Sequence, residues 1–276
     1  MNANTSTSPA RAPWAPAQPL ERGNTAQKIL EDLRRSILEG QFVRGGKLPT
    51  ERELAAGYGV SGATVREAVR GLVASGLVEV RHGSGAYVTG DALGLVAEPL
   101  RSMMQMERIG VAEVMGVLKA LNMYAAEIAA TQASPGDIES LRKALEALGE
   151  ATDADDLSAR LRHFLRQVVT ISGNPLLTVL SGFLSELQVE LAVRLSGGTF
   201  EQWRKTASRL SRERERLVAA IEARDPEAAR LAAGEYHDRA ASVITALPHG
   251  ESDQLDDPLL ASLVANVMRG RSKKRP

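Results

Sequence analysis

The sequence predicts a mainly α-helical protein, in which three short helices and a β-hairpin precede an all-helical bundle. Two observations predict this plan. Strand-like runs occur only between residues 77 and 89, and from about residue 92 onward the Leu- and Ala-rich segments have helical spacing. Hydrophobic residues make up 43% of the 276 positions, which is enough for a sizeable core.

The chain divides by composition into four segments. The beginning is rich in Ser, Thr, Ala and Pro, which is typical of a disordered arm, and the end is a polar tail that could form a short helix between Leu259 and Met268. We therefore expect an arm (1–23), a domain of short helices and a hairpin (24–91), an all-helical domain (92–248) and a tail (249–276).

The first predicted helix begins near Thr25, a plausible capping residue, and ends at Gly40. Its apolar residues recur at a spacing that places them on one face of the helix. The residues expected on this face are Ile29, Leu33, Ile37 and Leu38.

The second predicted helix follows Pro49 and has a capping box. Thr50 can cap it, and Glu53 stands three residues later, where its side chain can reach back to the backbone of the cap. Gly59 ends this helix. Its expected buried residues are Leu54, Ala55 and Tyr58.

Ser61 caps the third predicted helix, which runs to about Ala74. Two β-rich runs follow, residues 77–80 and 86–89, and Gly83, Ser84 and Gly85 join them into a hairpin. Three helices and a hairpin in about 65 residues are the plan of a winged helix-turn-helix. The residues of the third helix expected to face inward are Val65, Ala68, Val69, Leu72 and Val73.

The remainder of the chain shows helical periodicity without further strands, and we expect about six helices there. Gly- and Pro-containing breaks separate the helical segments. Pro135, Pro175 and Pro226 each fall where the first turn of a helix is expected, a position at which the missing N–H costs little. The second domain is therefore predicted to be an all-α bundle.

Several classes of function are excluded by composition and motifs. The chain has no cysteine, so it has neither disulfides nor thiolate metal sites, and a formal net charge of zero argues against non-specific coating of nucleic acid. No apolar run approaches about 18 residues, so we expect no membrane partner and a cytoplasmic protein. Nucleophile motifs, metal clusters and phosphate loops are absent from the sequence, so we expect no enzyme and no cofactor.

The start of the third helix favours DNA binding. Small residues from Ser61 to Thr64, Gly62 among them, would let the backbone approach a duplex, and Arg66 could reach a guanine edge or a phosphate. Arg52 could reach the same groove, and His82 and Gly83 at the hairpin tip could lie over the minor groove. Residues 24–90 hold nine Lys or Arg against seven Asp or Glu, which is modest support. On residue types alone, a domain that binds another protein is the alternative.

The segment "LPTERELAAGYGVSGATVREAVRGLVASGLVEVRHGSGAYV" closely resembles the signature of the GntR family of bacterial transcription regulators. The resemblance covers roughly residues 26–90 and implies that double-stranded DNA is the partner. It also implies a set of DNA-contacting positions. These are Arg52, Ser61, Thr64, Arg66, His82 and Gly83.

Gly62 departs from the family pattern, which usually has Arg directly after the capping Ser or Thr. Loss of a bidentate Arg can remove about 1–3 kcal/mol of base discrimination. Because residue 62 is Gly, we hypothesise that this protein recognises an operator whose core sequence differs from the one that the family usually binds, or an operator that is read more through DNA shape.

The second half resembles the all-helical FCD domain of the FadR-like branch of this family. "FLRQVVTISGNPLL" and "ERERLVAAIEARDPEAAR" carry this resemblance, which covers about residues 95–245. It implies a small-molecule effector and a homodimer, since two recognition helices one turn of DNA apart read a pseudo-palindromic operator.

Many members of this branch hold a divalent metal with one Asp and three His residues. By resemblance, those positions are occupied here by Leu161, Leu165, Arg214 and Tyr236. Leucine offers no donor atom to a metal, so we expect no metal site. His163 and His237 lie one or two residues away from the positions of the family's metal ligands, so each points in a different direction from its helix. We expect both to be surface or rim residues.

Arg214 is the residue we single out in the effector domain, because its guanidinium could bind a carboxylate in place of the metal. The alternative is an Arg that is solvated or paired with Glu186, Glu190 or Glu213. The expected effector-binding set is Arg214, Tyr236, Asn122, Arg166 and Arg194. These features predict a regulator, with repression as the expected role, that senses an organic acid. A ligand-independent DNA-binding protein whose bundle only dimerises is the second hypothesis.

Overall fold

The computed structural model describes residues 25–81, 83–89, 93–197 and 199–247. Two compact units divide between Leu95 and Val96. The predicted arm, His82 and the C-terminal tail lie outside the described residues.

The first unit contains three helices and a two-stranded antiparallel sheet. The strands pair in a register that sets Val78 opposite Val88 and Arg81 opposite Gly85, as expected for the hairpin of a winged helix-turn-helix. Lys47 makes an isolated bridge to Tyr87, which fixes the loop before the second helix against the hairpin. The elements are α1 (Thr25–Leu38), α2 (Glu51–Tyr58), α3 (Gly62–Ala74), β1 (Val78–Arg81) and β2 (Gly85–Val88).

The capping residues predicted from the sequence define where α2 and α3 begin. At α2, the hydroxyl of Thr50 accepts a hydrogen bond from the Glu53 N–H at 3.3 Å, and the Glu53 carboxylate accepts one from the Thr50 N–H at 2.7 Å. Gly59 ends α2 with φ +67°, a conformation that costs glycine little. At α3, the Ser61 hydroxyl accepts a hydrogen bond from the Thr64 N–H at 3.2 Å.

One hydrophobic core holds the first unit together. Most of the residues predicted to face inward do so, but the prediction was wrong for Leu38, which is 66% exposed, and for Val73, which is 38% exposed. Both residues lie in the last turn of their helices, where the chain leaves the core. The buried members are Ile29, Leu33, Phe42, Leu48, Leu54, Tyr58, Val65, Ala68, Val69, Leu72, Leu77, Val78 and Val88.

The helices that follow form a bundle, and the expectation of about six was too low for the described residues, which contain eight. One missed boundary separates α9 from α10 at Arg209 and Leu210, a break that contains neither Gly nor Pro. A single 3-10 turn spans Ala147–Glu150. The helices are α4 (Leu93–Met106), α5 (Val111–Gln132), α6 (Pro135–Glu146), α7 (Ala154–Ile171), α8 (Pro175–Leu195), α9 (Phe200–Ser208), α10 (Ser211–Glu222) and α11 (Pro226–Thr245).

Proline begins three helices of this bundle, as the sequence predicts. Pro135, Pro175 and Pro226 each occupy the first turn of a helix, preceded by a side-chain cap from Ser134, Asn174 and Asp225 respectively. Proline is tolerated there because its missing N–H would have had no partner within the helix.

Helix α5 runs through the middle of the bundle and packs against α7, α8, α10 and α11. Four of its nine buried residues are alanines (Ala125, Ala126, Ala129 and Ala130), which allow close helix packing along that part of the helix. Among the described helices, α8 is long and apolar enough to cross a bilayer by length and composition, and 44% of its apolar window is buried within the bundle.

Candidate nucleic-acid interface and buried cavity

The start of α3 presents its small residues to solvent. Ser61 and Gly62 are exposed and Thr64 is half-buried, and the Ser61 and Thr64 hydroxyls lie 2.8 Å apart. A Cβ placed on Gly62 would meet no heavy atom within 4 Å. The backbone at this helix end is therefore open to close approach by a large partner such as a duplex, because neither a side chain nor a neighbouring element covers it.

Arg52 and Arg66 are both exposed in the first unit. The Nε of Arg66 on α3 donates to the Glu51 carboxylate on α2 at 3.0 Å, and 56% of the Arg66 side chain is exposed. An exposed ion pair stabilises a fold little, but it limits the directions in which the guanidinium can point. Sequence reasoning missed Glu51 as the partner of Arg66, because the two residues are 15 positions apart and no local pattern links them.

The hairpin brings a basic and an aromatic side chain together. The guanidinium carbon of Arg81 lies 4.2 Å from the centre of the Tyr87 ring, and the Ser84 and Tyr87 hydroxyls are 2.6 Å apart. Gly83 at the tip is exposed and has φ +70°, a conformation that favours glycine. Gly83 therefore leaves room for close approach to its backbone, beside the positive charge of Arg81.

Arg214 on α10 is buried in the second unit, with 5% of its surface exposed. It borders a small cavity of about 30 Å³ between α7, α8, α9, α10 and α11, and also a larger groove of about 330 Å³. Tyr236 lines the same cavity, and its side chain hydrogen-bonds with Arg214. Burial raises the pKa of Tyr236 despite the lowering effect of the nearby Arg214 charge, so the phenol is neutral.

The positive charge of Arg214 has no counter-ion within the described residues. One terminal nitrogen donates to the Ala207 carbonyl oxygen at 2.9 Å, and Nε has no hydrogen-bond partner. Glu186 pairs instead with Arg162 at 2.6 Å, and Glu213 forms no ion pair with Arg214. The alternative prediction of a solvated or Glu-paired Arg214 was therefore wrong. An uncompensated buried charge is costly, and an anionic ligand would compensate it.

The other expected effector residues lie elsewhere in the second unit. The amide nitrogen of Asn122 lies 2.8 Å from His237 Nε2, and the Ser181 hydroxyl donates to the Asn122 amide oxygen. Arg166 lines a separate cavity between α7 and α8. Arg194 is exposed and lines none of these three cavities. Of the five expected residues, the cavity brings together Arg214 and Tyr236.

The prediction that His237 is a surface or rim residue was wrong, whereas His163 is exposed as predicted. His237 is 2% exposed, and burial lowers its pKa to about 3, so the ring is neutral. A signal for this burial was present in the sequence. His237 stands four residues after Ala233, three before Ala240 and seven before Ile244, which is the spacing of one buried helix face.

Comparison with known proteins agrees with this architecture. Residues 25–88 match the family described as "Bacterial regulatory proteins, gntR family", and residues 113–239 match the FCD domain. The chain is 30% identical over 200 residues to the HTH-type transcriptional regulator LutR of Bacillus subtilis, a match that covers 71% of this chain and 91% of LutR.

This chain belongs to the GntR family. It is a transcription regulator with an FCD effector-binding domain, and it is not an enzyme. Members of the family bind DNA and small-molecule effectors.

Two further GntR proteins resemble this chain. The transcriptional repressor NanR of Klebsiella aerogenes is 31% identical over 163 residues, which cover 58% of this chain and 63% of NanR. The solved structure of Streptococcus agalactiae GntR has the same fold, with a TM-score of 0.55 and 23% identity, covering 77% of this chain and 97% of that one.

The metal that many FCD domains hold does not fit the residues present in this one. The four positions carry Leu161, Leu165, Arg214 and Tyr236, and both leucines are buried with no donor atom to offer. Within the described residues, no group of three His, Asp or Glu side chains could hold a metal ion. A buried guanidinium at one of these positions would also repel a divalent cation.

Proposed function

We propose that this GntR-family chain is a homodimeric repressor that acts in the cytoplasm and senses a small organic acid without a metal. It would bind a pseudo-palindromic operator in double-stranded DNA. The proposed DNA-contacting residues are Arg52, Ser61, Gly62, Thr64, Arg66, His82 and Gly83. Repression is supported by NanR, a relative that is a transcriptional repressor.

The proposed DNA contacts rest on exposure and on the start of α3. The first backbone N–H groups of a helix point outward and favour anions such as phosphate. Gly62 leaves this end open, and Arg66 is positioned beside it by Glu51. Arg is also the residue best suited to a bidentate contact with guanine.

The proposed effector site rests on one observation, the buried and unpaired charge of Arg214. A carboxylate can accept two parallel hydrogen bonds from a guanidinium, and the free Nε of Arg214 supplies a donor for such a contact. Tyr236, kept neutral by burial, can donate its hydroxyl proton to the same anion.

An effector can change DNA affinity only by its different affinity for two states of the protein. A carboxylate that binds Arg214 removes the cost of a buried unpaired charge, so it stabilises whichever state encloses it. Binding of the acid and binding of the operator are then linked reciprocally.

The test is calorimetric titration of the full-length protein with a panel of organic acids. The variants are Arg214→Met, which removes the charge and keeps a similar volume, and Arg216→Met on the same helix. Arg216 is exposed and paired with Glu235 at 3.0 Å, so it serves as the matched control. We expect Arg214→Met to weaken binding at least tenfold and Arg216→Met to leave it unchanged.

Equal acid affinities in wild type and Arg214→Met would refute the proposed site. A protein whose thermal stability and DNA affinity respond to no acid would favour the second hypothesis, in which the bundle only dimerises. Folding of Arg214→Met is checked by its unfolding transition. Because replacing a buried unpaired charge by an apolar side chain costs little, we expect a stability change within about 1 kcal/mol.

A further inference from the structure

The end of the hairpin carries two cations that are not among the DNA-contacting residues proposed above. The guanidinium carbon of Arg81 lies 4.2 Å from the centre of the Tyr87 ring, and Lys47 Nζ lies 5.9 Å from the same centre. Arg81 is the last residue of β1, whereas Lys47 belongs to the loop before α2. One aromatic ring therefore brings together two positive charges from separate segments of the first unit.

Lys47 is held against the hairpin by its backbone and by the lack of a side chain at residue 85. Its backbone makes the isolated bridge to Tyr87. A Cβ added to Gly85 would lie 3.0 Å from Lys47 Cε, so the side chain of Lys47 passes directly over this glycine. Gly85 pairs with Arg81 at the end of the register, next to the turn. Both cations are thus held at the turn end of the hairpin.

The nearby carboxylates leave a net positive charge at this end of the hairpin. Glu79 accepts hydrogen bonds from Nε and Nη2 of Arg81 at 2.9 and 2.6 Å, and 41% of the Arg81 side chain is exposed. Glu53 is bound instead by the hydroxyl and the N–H of Thr50, each at 2.7 Å. Lys47 is exposed and forms no ion pair with the carboxylates that the structure describes. Two cations are therefore balanced by a single paired carboxylate.

The donors that remain suit phosphate better than a base edge. Because Nε and Nη2 of Arg81 already bond to Glu79, Nη1 is the nitrogen left for an outside partner. A single nitrogen cannot supply the two parallel hydrogen bonds by which arginine recognises guanine. The ammonium of Lys47 is a compact point charge without a fixed fork of donors, and lysine binds phosphate in this way.

We propose, building on the DNA contacts proposed above, that Lys47 and Arg81 form a phosphate-binding site on the hairpin. Tyr87 is the residue that positions both cations. When the exposed backbone of Gly83 approaches a duplex, the two cations meet the sugar–phosphate backbone beside it. Phosphate contacts carry no sequence information, so the site strengthens binding to the operator and to any other duplex alike.

The experiment measures the DNA affinity of the full-length protein over a range of salt concentrations. Fluorescence anisotropy is recorded with a site selected from random DNA and with an unrelated duplex of equal length. Each phosphate contact contributes about 0.9 to the steepness with which the association constant falls with salt on a log–log plot. With two hairpins in a dimer, Lys47→Gln and Arg81→Gln should each reduce this steepness by about 1.8. The ratio of the two affinities should stay within a factor of about two.

Matched variants separate loss of charge from loss of structure. Lys47→Arg keeps the charge and should retain the salt dependence of wild type. Arg216→Gln removes an exposed cation from the second unit and should leave the salt dependence unchanged. Tyr87→Phe keeps the ring and should behave as wild type, whereas Tyr87→Leu should reduce the steepness by at least about 0.9. Thermal unfolding shows whether each variant is folded, and Lys47→Gln, an exposed change, tests the site even if Tyr87→Leu is not.

The outcomes separate this inference from the proposed function. An unchanged salt dependence in Lys47→Gln and Arg81→Gln would overturn the phosphate site. If Arg66→Gln weakens binding to the selected site in the same assay, the proposed contacts of α3 still stand. Weaker binding of Lys47→Gln to the selected site alone would indicate base recognition and would also overturn the inference. An Arg66→Gln variant that binds both duplexes as wild type does would contradict the proposed role of Arg66.

Discussion

Arg214 shows how one residue can change the chemistry of a shared scaffold. In the FCD positions that hold a metal in many relatives, this chain places two leucines, an arginine and a tyrosine. The guanidinium is the one positive charge in the cavity wall, so it stands where the cation of a metal site would. The sequence predicted this exchange of residues, whereas the lack of a counter-ion became visible only in the structure.

Gly62 carries the first prediction. Because a side chain at residue 62 has open space, Gly62→Arg should fold normally and add a bidentate donor to the start of α3. We expect selection from random DNA to show a new base preference worth about 1–3 kcal/mol at one position of each half-site. Gly62→Ala is the control, since it changes the backbone without adding a donor. An unchanged preference in Gly62→Arg would contradict the hypothesis.

His237 carries a prediction about pH. Burial lowers its pKa to about 3, while the charges of Asp238 and Lys119 act in opposite directions. Below about pH 6.5 the unfolded chain binds a proton at this position and the folded chain does not, so stability must fall as the pH drops. From pH 7 to pH 5 this residue should remove about 2 kcal/mol of unfolding free energy.

Urea unfolding at pH 7 and pH 5 measures this effect, with His237→Gln as the comparison because glutamine does not titrate. We expect the variant to lose about 2 kcal/mol less than wild type over this interval. Parallel losses in both proteins would mean that His237 is protonated in the folded state.

At the scale of the element, helix ends that depend on capping residues or proline were predicted correctly, whereas ends without such residues were not. The capping box of α2, the Ser61 cap of α3 and the prolines that begin three bundle helices depend on neighbouring residues, so the sequence was sufficient. The break at Leu210 has no Gly or Pro and no side-chain cap, so the sequence carries no local signal for it. Exposure of Leu38 likewise depends on where the helix leaves the core.

The capping box of α2 carries a prediction of its own. Hydrogen bonds from the Thr50 hydroxyl and backbone hold the pKa of Glu53 below its ordinary value. Thr50→Ala removes the side-chain cap and should lower unfolding free energy by about 1 kcal/mol. The stabilising contribution of Glu53 is present above its unfolded pKa and is lost as the pH falls through its folded pKa.

Thermal unfolding at neutral pH measures the cost of Thr50→Ala, and Thr131→Ala is a suitable comparison, because Thr131 lies at the exposed end of α5 and bonds only to its own helix. Loss of the Thr50 cap should lower the melting temperature more than the Thr131 change. Similar shifts in both variants would show that the cap contributes little.

At the scale of the whole molecule, two units of different chemistry occur in one regulator. The first presents an open helix start and a narrow hairpin tip, and the second has a small cavity whose wall carries one unpaired cation. Family membership was predictable because the motifs of the first unit are dense. The burial of His237 was missed because its position on the helix was inferred from the family motif and not from the spacing of apolar residues in α11.

The most direct test of metal-free acid sensing is the DNA affinity of the full-length, chelator-treated protein. Fluorescence anisotropy with a site selected from random DNA gives this affinity with and without the organic acid that binds most tightly in the titration panel. We predict that the chelated protein binds its site, and that the acid changes Kd at least fivefold in wild type and not in Arg214→Met. DNA binding or acid response that requires an added divalent metal would contradict metal-free sensing.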